Sequence, residues 1–345
     1  MRKTRVAING FGRIGRLFYR QVFQNDQLEI VAVNDLGDID NLAYLLKYDS
    51  VYGNFGEQIS VNTDISTITV GGNETQVLQI KDPAELPWGD LDVDIVIEAT
   101  GLYESFEKAK IHLDRGAKHV VLTAPAKDDE GVAGGKTVLM GVNDAALSTC
   151  PISSTASCTT NSAAPVMEIL SENPGIEKAM LSTVHAMTTT QSLADGPVKG
   201  GKDFRRGRTA SQNIVPSTTG AAIAVTRAVP ELAGKFDGIA FRVPVIAGSL
   251  SDITFVSKRT TSTEEVNDIL TAASKEARWQ GILKVTREQL VSSDILGEPY
   301  GAVVDLSFTK VIGGNLVKVL SWYDNEWGYT AMLVRHVLAA AKHVS

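Results

Sequence analysis

Two residues with the makings of covalent catalysis stand out: Cys158, in Ser154-Thr155-Ala156-Ser157-Cys158-Thr159-Thr160-Asn161, and His185, which closes the apolar run Ala179 to Val184. A cysteine attacks only as thiolate, and a helix N-terminus or an adjacent imidazolium lowers its pKa. Both aids are in prospect here. Ser157 is placed to cap a helix that continues through Ala163 to Leu170, with Pro165 expected in its first turns. His185, at a strand end, points into a cleft and is followed by the donor-rich Thr188 to Gln191. The other histidines, His112, His119, His336 and His343, lie in helix-patterned or strand-entry positions and read as structural residues. Cys150 reads as a buried, reduced thiol, and the two cysteines have neither metal-ligand spacing nor the makings of a disulfide framework. No metal site is expected.

A hydride acceptor is implied at the other end of the chain. Gly10-Phe11-Gly12-Arg13-Ile14-Gly15 has the Gly-x-Gly-x-x-Gly spacing between a strand pattern, Arg5 to Asn9, and a helix pattern. In that setting the glycines allow a tight turn, close backbone approach to a pyrophosphate, and close helix–sheet packing. Asp35, twenty residues beyond Gly15 at the end of Ile30 to Asn34, is placed to accept hydrogen bonds from ribose hydroxyls and to repel a 2′-phosphate. NAD is favoured over NADP.

The elements that must position these groups follow from composition and pattern. A chain of 345 residues exceeds one hydrophobic core, and 43% hydrophobic with 21% charged residues is ordinary globular composition. Net charge of -7 gives no overall attraction to nucleic acid or anionic lipid. No stretch approaches membrane-spanning length and no signal-type apolar core follows the N-terminus, so a cytoplasmic protein is expected. Up to Thr123 short apolar runs alternate with helical patterns, the signature of a Rossmann-type parallel sheet. Beyond Cys158 longer strand patterns at 179–184, 253–256, 303–308 and 316–322 predict an α+β domain with a mainly antiparallel sheet. The expected division is 1–157 for NAD binding, 158–324 for catalysis, and a C-terminal helix in 325–345 returning to the first domain. The aperiodic stretch from Met187 to Gln212 reads as a binding loop.

Six further segments carry a resemblance: Ile8 to Arg16, Asn34-Asp35-Leu36, Leu46 to Ser50, Ser157 to Asn161, Phe241-Arg242-Val243-Pro244, and Ser321 to Tyr329. Over essentially its whole length the chain resembles the phosphorylating glyceraldehyde-3-phosphate dehydrogenases. The resemblance implies that Cys158 attacks the aldehyde of glyceraldehyde 3-phosphate, that His185 is the base, and that inorganic phosphate releases the resulting thioester as an acyl phosphate. It implies that Thr188, Thr190, Arg205 and Arg242 surround the substrate phosphate, and that Ser157, Thr159, Thr219 and Gly220 surround the attacking one. Arg206 is read as solvated. For NAD it implies Gly10, Phe11, Gly12, Arg13, Ile14, Gly15 and Asp35, with Thr100 and Gly101 along the cleft, Asn325 on the nicotinamide carboxamide, and Thr123 and Tyr329 also among the cofactor-binding residues. Leu36 and Pro197 also match the NAD-selective pattern. A homotetramer is implied, with no nucleic acid as primary partner. Thr155, Ser162, Ile223, and Ala247-Gly248 depart from the family pattern, and the loop Lys199-Gly200-Gly201-Lys202 is about two residues longer than usual.

Competing readings keep the thiol and change its task. Erythrose 4-phosphate oxidation uses the same chemistry, and a non-catalytic binding protein could keep the same fold. A hydrolase built on Cys158 and His185 alone leaves the glycines and Asp35 unexplained.

Overall fold

The computed structural model describes residues 2–198 and 203–344; the loop Lys199 to Lys202 lies outside them. The chain divides into two compact units, Met1–Ala156 with Thr330–Ser345, and Ser157–Tyr329.

Among the described residues the main sheet of the first unit holds nine strands: β1 (Thr4–Asn9), β2 (Leu28–Asn34), β3 (Ile59–Asn62), β4 (Thr67–Val70), β5 (Asn73–Leu78), β6 (Ile95–Glu98), β7 (His119–Leu122), β8 (Gly135–Thr137) and β9 (Ile152–Ser154), and a short antiparallel pair, Tyr48–Asp49 with Gly53–Asn54, stands apart from it. Their order is β8-β9-β7-β6-β1-β2-β5-β4-β3. From β8 to β5 every pairing is parallel, as expected. Strand β1 has Val6, Ala7 and Ile8 wholly buried, because both faces of the sheet are covered, the Val6 and Ile8 face by helices and the Ala7 face by the segment holding Leu86, Trp88 and Val93. Two helices supply part of that cover: α1 (Arg13–Val22), and the Leu333, Val337 and Ala340 end of the C-terminal helix. One feature departs from the expected alternation. Strands β3, β4 and β5 form an antiparallel meander at the edge, turned at Gly71-Gly72, both at positive φ. The order of strand addition switches at β1, with β2 on one side and β6 on the other, so a crevice opens at its C-terminal end.

In the second unit the described strands are β10 (Ile176–Ala186), β11 (Val215–Thr218), β12 (Phe236–Val243), β13 (Ser249–Ser257), β14 (Leu283–Thr286), β15 (Ala302–Ile312) and β16 (Leu316–Tyr323), ordered β11-β12-β10-β13-β16-β15-β14. The centre, β10-β13-β16-β15, is antiparallel, while β12 joins β10 in parallel. That parallel register sets His185 directly beside Arg242. The helix Cys158–Glu172 packs across β15 and β16 and is buried along most of its length. Pro165 lies beyond its second turn rather than in its first turns. The helix runs on, although Pro165 supplies no N–H to the Asn161 carbonyl.

Candidate functional site

In the first unit a cleft of about 420 Å³ opens at the C-terminal ends of β1, β2 and β6, lined among others by Gly10, Gly12, Asp35, Leu36, Thr100 and Tyr103. The three fingerprint glycines do different things. A Cβ on Gly10, at φ +97°, would lie 2.6 Å from the Ala99 carbonyl carbon, and one on Gly15 would lie 2.3 Å from the Gly10 carbonyl oxygen. These two permit close packing. Gly12 has open space where its Cβ would be, and it caps α1 with no side-chain bond, which leaves the helix's first N–H groups for an anion. The Asp35 carboxylate is fixed at the rim, accepting from Phe11 N at 2.8 Å and Gly37 N at 2.9 Å. Open space, exposed helix N–H groups and a fixed carboxylate fit a dinucleotide whose ribose carries free hydroxyls.

In the second unit Cys158 Sγ lies 3.3 Å from His185 Nε2. Ser157 caps the helix, accepting from Thr160 N at 3.1 Å, so Cys158 is its first residue. His185 Nδ1 is 2.7 Å from the Ala186 carbonyl, which can only accept, so Nδ1 carries the proton. In the neutral ring Nε2 then turns a lone pair to the thiol. Arg242 Nη1, 3.2 Å from the same Nδ1, cannot donate to it and donates instead to Thr188 Oγ1 at 3.2 Å. Thr188 Oγ1 in turn lies 2.9 Å from Thr190 Oγ1. Beneath the pair Tyr323 OH joins Thr159 Oγ1 and Thr183 Oγ1, each at 2.8 Å, and its ring meets the His185 ring edge-on.

The electrostatics differ from the thiolate–imidazolium pair expected from sequence. Burial pushes the Cys158 thiol up, against the pull of Arg242 and of the Thr159 and Cys158 N–H groups. Burial, with Arg242 and Arg206 nearby, lowers His185 from its ordinary 6.5 to about 3. Burial thus favours a neutral thiol facing an unprotonated Nε2 over the ion pair.

Comparison with known proteins gives the family of the chain. Residues 4–106 match the family model described as glyceraldehyde 3-phosphate dehydrogenase, NAD binding domain, and residues 157–325 match that of the C-terminal domain. The chain is 46% identical to glyceraldehyde-3-phosphate dehydrogenase of Mycolicibacterium smegmatis, covering 98% of both chains. It is 47% identical to that of Streptomyces coelicolor over 96% of each, and 45% identical to that of Clostridium pasteurianum over 98% of this chain and 99% of the relative. The chain belongs to the glyceraldehyde-3-phosphate dehydrogenase family. It is accordingly an NAD-dependent oxidoreductase with the α/β architecture read from its sequence.

Against that family pattern the structure redistributes several expected residues. Arg205 is exposed and donates its Nε–H to Asp203 Oδ1, while Arg206, read as solvated, is anchored on Ser217 Oγ at 2.7 and 3.0 Å and is felt by both His185 and Arg242. Thr159 is buried, and its hydroxyl serves Tyr323 and the thiol rather than an open anion site. Phe11 keeps its ring in the core and contributes only its N–H, and Arg13 is engaged by Asp49. Ile14 packs against the core beside Gly15. Thr123 spends both its N–H and its hydroxyl on the Glu98 carbonyl, and Gly101 is an exposed residue at φ +70°. Thr219 accepts from Ala221 N, beside Gly220 at the start of the helix Ala221–Ala228, and Tyr329 is buried near the start of the C-terminal helix.

The departure at Ala247-Gly248 has a structural use. Gly248, at φ +86°, has no room for a Cβ beside the Ser292 carbonyl, and its N–H bonds Asn325 Oδ1 at 3.0 Å. Ser249 Oγ donates to the same oxygen, which orients Asn325 with Nδ2 as the group it can offer. Tyr323 and Arg206 are the site residues that sequence reasoning missed. Tyr323 had a legible signal, since the alternation of β16 buries Ser321 and Tyr323 on the face opposite Trp322.

Proposed function

We propose that this enzyme oxidises glyceraldehyde 3-phosphate to 1,3-bisphosphoglycerate with NAD and inorganic phosphate, through a thioester on Cys158. The observation that carries the reading is the 3.3 Å contact of Cys158 Sγ with the unprotonated Nε2 of His185, beside Arg242. Nε2 takes the thiol proton as sulfur attacks the aldehyde carbon, then passes it to the new alkoxide, giving a hemithioacetal. The N–H of Cys158, at the helix start, stabilises the oxyanion that forms in between. His185 next removes the hemithioacetal hydroxyl proton as the C–H bond breaks. NAD, when bound, supplies the acceptor for that hydride. A phosphate oxygen then attacks the thioester carbon, the C–S bond breaks, and the departing thiolate recovers its proton from His185 while the phosphate proton goes to solvent. NADH formation from the triose phosphate should require both NAD and phosphate; equal rates with phosphate omitted would replace acyl transfer by hydrolysis.

Arg242, Thr188 and Thr190 form one set of donors for a phosphate group, and Arg206, near Ser217 and Thr218, extends positive charge toward the same pair. Arginine suits this role because its planar fork bonds phosphate oxygens in pairs. Losing a charge-assisted bond should raise KM for the triose phosphate or for phosphate about tenfold to a hundredfold in Arg206→Ala. Arg205→Ala should leave both within about threefold, since its exposed pair with Asp203 is screened. Steady-state kinetics on the two variants decide between these neighbours, and a larger effect at Arg205 reverses the assignment.

A homotetramer in the cytoplasm completes the reading. One face of the second unit's sheet carries exposed Met180, Val184, Ile239 and Leu316 over a shallow apolar cavity, the kind of patch that subunits cover. Sedimentation at the monomer mass of 37.0 kDa would remove this part.

A further inference from the structure

Glu98, the last residue of β6, is 4% exposed and lies under the floor of the dinucleotide cleft. Its carboxylate is met only by donors. Oε1 accepts from Thr100 N at 2.9 Å and from the Thr100 hydroxyl. That hydroxyl already accepts from Leu102 N at 3.0 Å, so its hydrogen is the part left for Glu98. Oε2 accepts from Asn9 Nδ2 at 2.6 Å and from His112 Nε2 at 3.1 Å.

The direction of each bond is fixed from outside. The indole N–H of Trp88 can only donate, and it reaches His112 Nδ1 at 3.0 Å, so the proton of that ring sits on Nε2 and points at Glu98. On the other side Ile80 N can only donate, and it reaches Asn34 Oδ1 at 2.9 Å. Asn34 Nδ2 therefore donates, to the Ile80 carbonyl and to Asn9 Oδ1 at 2.8 Å, which leaves Asn9 Nδ2 to donate to Glu98. One hydrogen-bonded chain thus runs from Ile80 through Asn34 and Asn9 to Glu98, and on through His112 to Trp88. It crosses the ends of β2, β1 and β6. Four donors meet the four lone-pair sites of one carboxylate, and an amide in its place would set its NH2 against a donor whichever way it turned.

What this carboxylate holds is the wall of the cleft. Thr100, Asn9 and Asn34 all line it, and the Ala99–Thr100 peptide is the surface on which Gly10 rests, with no space for a Cβ between them. We propose that Glu98 is a positioning residue for the dinucleotide: by pinning the Thr100 peptide against Gly10, it holds the glycine-rich loop in its binding shape before the cofactor arrives. The proposal rests on the reading of this unit as the NAD-binding one. A cleft already shaped in the free protein spares the ligand the cost of ordering it.

The test is NAD binding by titration calorimetry on the wild type, Glu98→Gln and Trp88→Phe, with thermal melting and hydrogen exchange of the free proteins. Glu98→Gln should weaken NAD by about tenfold or more, as expected for a buried donor left facing a donor, while kcat at saturating NAD stays within about threefold. Trp88→Phe cuts the same chain at its far end, away from the loop; it should lower the melting temperature yet keep NAD affinity within about twofold. NAD affinity falling in both variants in proportion to melting temperature would reduce Glu98 to a structural residue and overturn the proposal. So would unchanged affinity in a folded Glu98→Gln. Should that variant not fold, the wild type still decides: the Thr100 amide must be protected before NAD is added, and exchange there as fast as at exposed loop amides overturns the pinning. Failure of the wild type itself to bind NAD would instead overturn the cofactor reading.

Discussion

Replacing Cys158 with serine is expected to lower NADH production by a factor on the order of 10³ or more, because only binding and electrostatic assistance remain once the nucleophile is gone. The change is small in every other respect. Sulfur becomes oxygen at the first residue of a helix that Ser157 caps, and the bonds from Thr160 to Ser157 do not involve position 158. Melting temperature should therefore move little. NAD affinity should stay within about twofold, since the cleft is lined by residues of the first unit alone. The reason for so large an effect on rate lies in what surrounds the sulfur. A hydroxyl at this position keeps the Thr159, Arg242 and His185 neighbours, but it ionises far less readily than a thiol, and an unprotonated Nε2 of low basicity cannot compensate. Absorbance assays with triose phosphate, paired with calorimetry for NAD, separate the two readouts. Residual activity above about a tenth of wild type would remove Cys158 from the mechanism.

The parts of this site that were legible from sequence are those whose chemistry is local. A glycine spacing between a strand and a helix carries its own geometry, and Asp35 falls at a strand end because β2 has a fixed length. Ser157 as cap is likewise a short-range fact. The Cys158–His185 contact joins residues 27 apart in the chain, and it depends on the packing of the helix Cys158–Glu172 across the sheet. The choice between Arg205 and Arg206 is a different kind of loss. They are successive residues in the 3-10 turn Phe204–Gly207, where neighbours point about 120° apart, so one turns inward while the other meets solvent. Identical side chains give sequence no means of telling which. The edge meander β3–β5 was hidden because its strands are short and interleave polar with apolar residues, although β4 is mostly buried. Glu98 gave no signal as a ligand, since it is a positioning residue whose partners arrive from three other elements and two loops.

His185→Gln should cost about 10² to 10⁴ in kcat/KM, the usual value of a positioned base. Its pH dependence distinguishes two mechanisms more sharply than its size. In the fold His185 is lowered to about 3 from 6.5, so the base form of Nε2 is present at every pH above about 3. The wild-type profile of kcat/KM should then run flat through pH 6.5, with no acid limb from this residue there. A resting thiolate–imidazolium pair would behave otherwise, giving a bell with one limb set by the thiol and the other by the imidazolium. The sign for stability runs the same way. An unfolded chain takes up a proton on His185 below 6.5 while the folded one does not, so this group's contribution is fully present above 6.5 and is lost as pH falls toward 3. In the glutamine variant no base remains, and the buried thiol, pushed up by desolvation, must ionise unaided before it attacks. Its residual rate should climb about tenfold per pH unit across the neutral range, following the thiolate fraction. A variant profile parallel to that of the wild type would mean that His185 does not take the proton from Cys158.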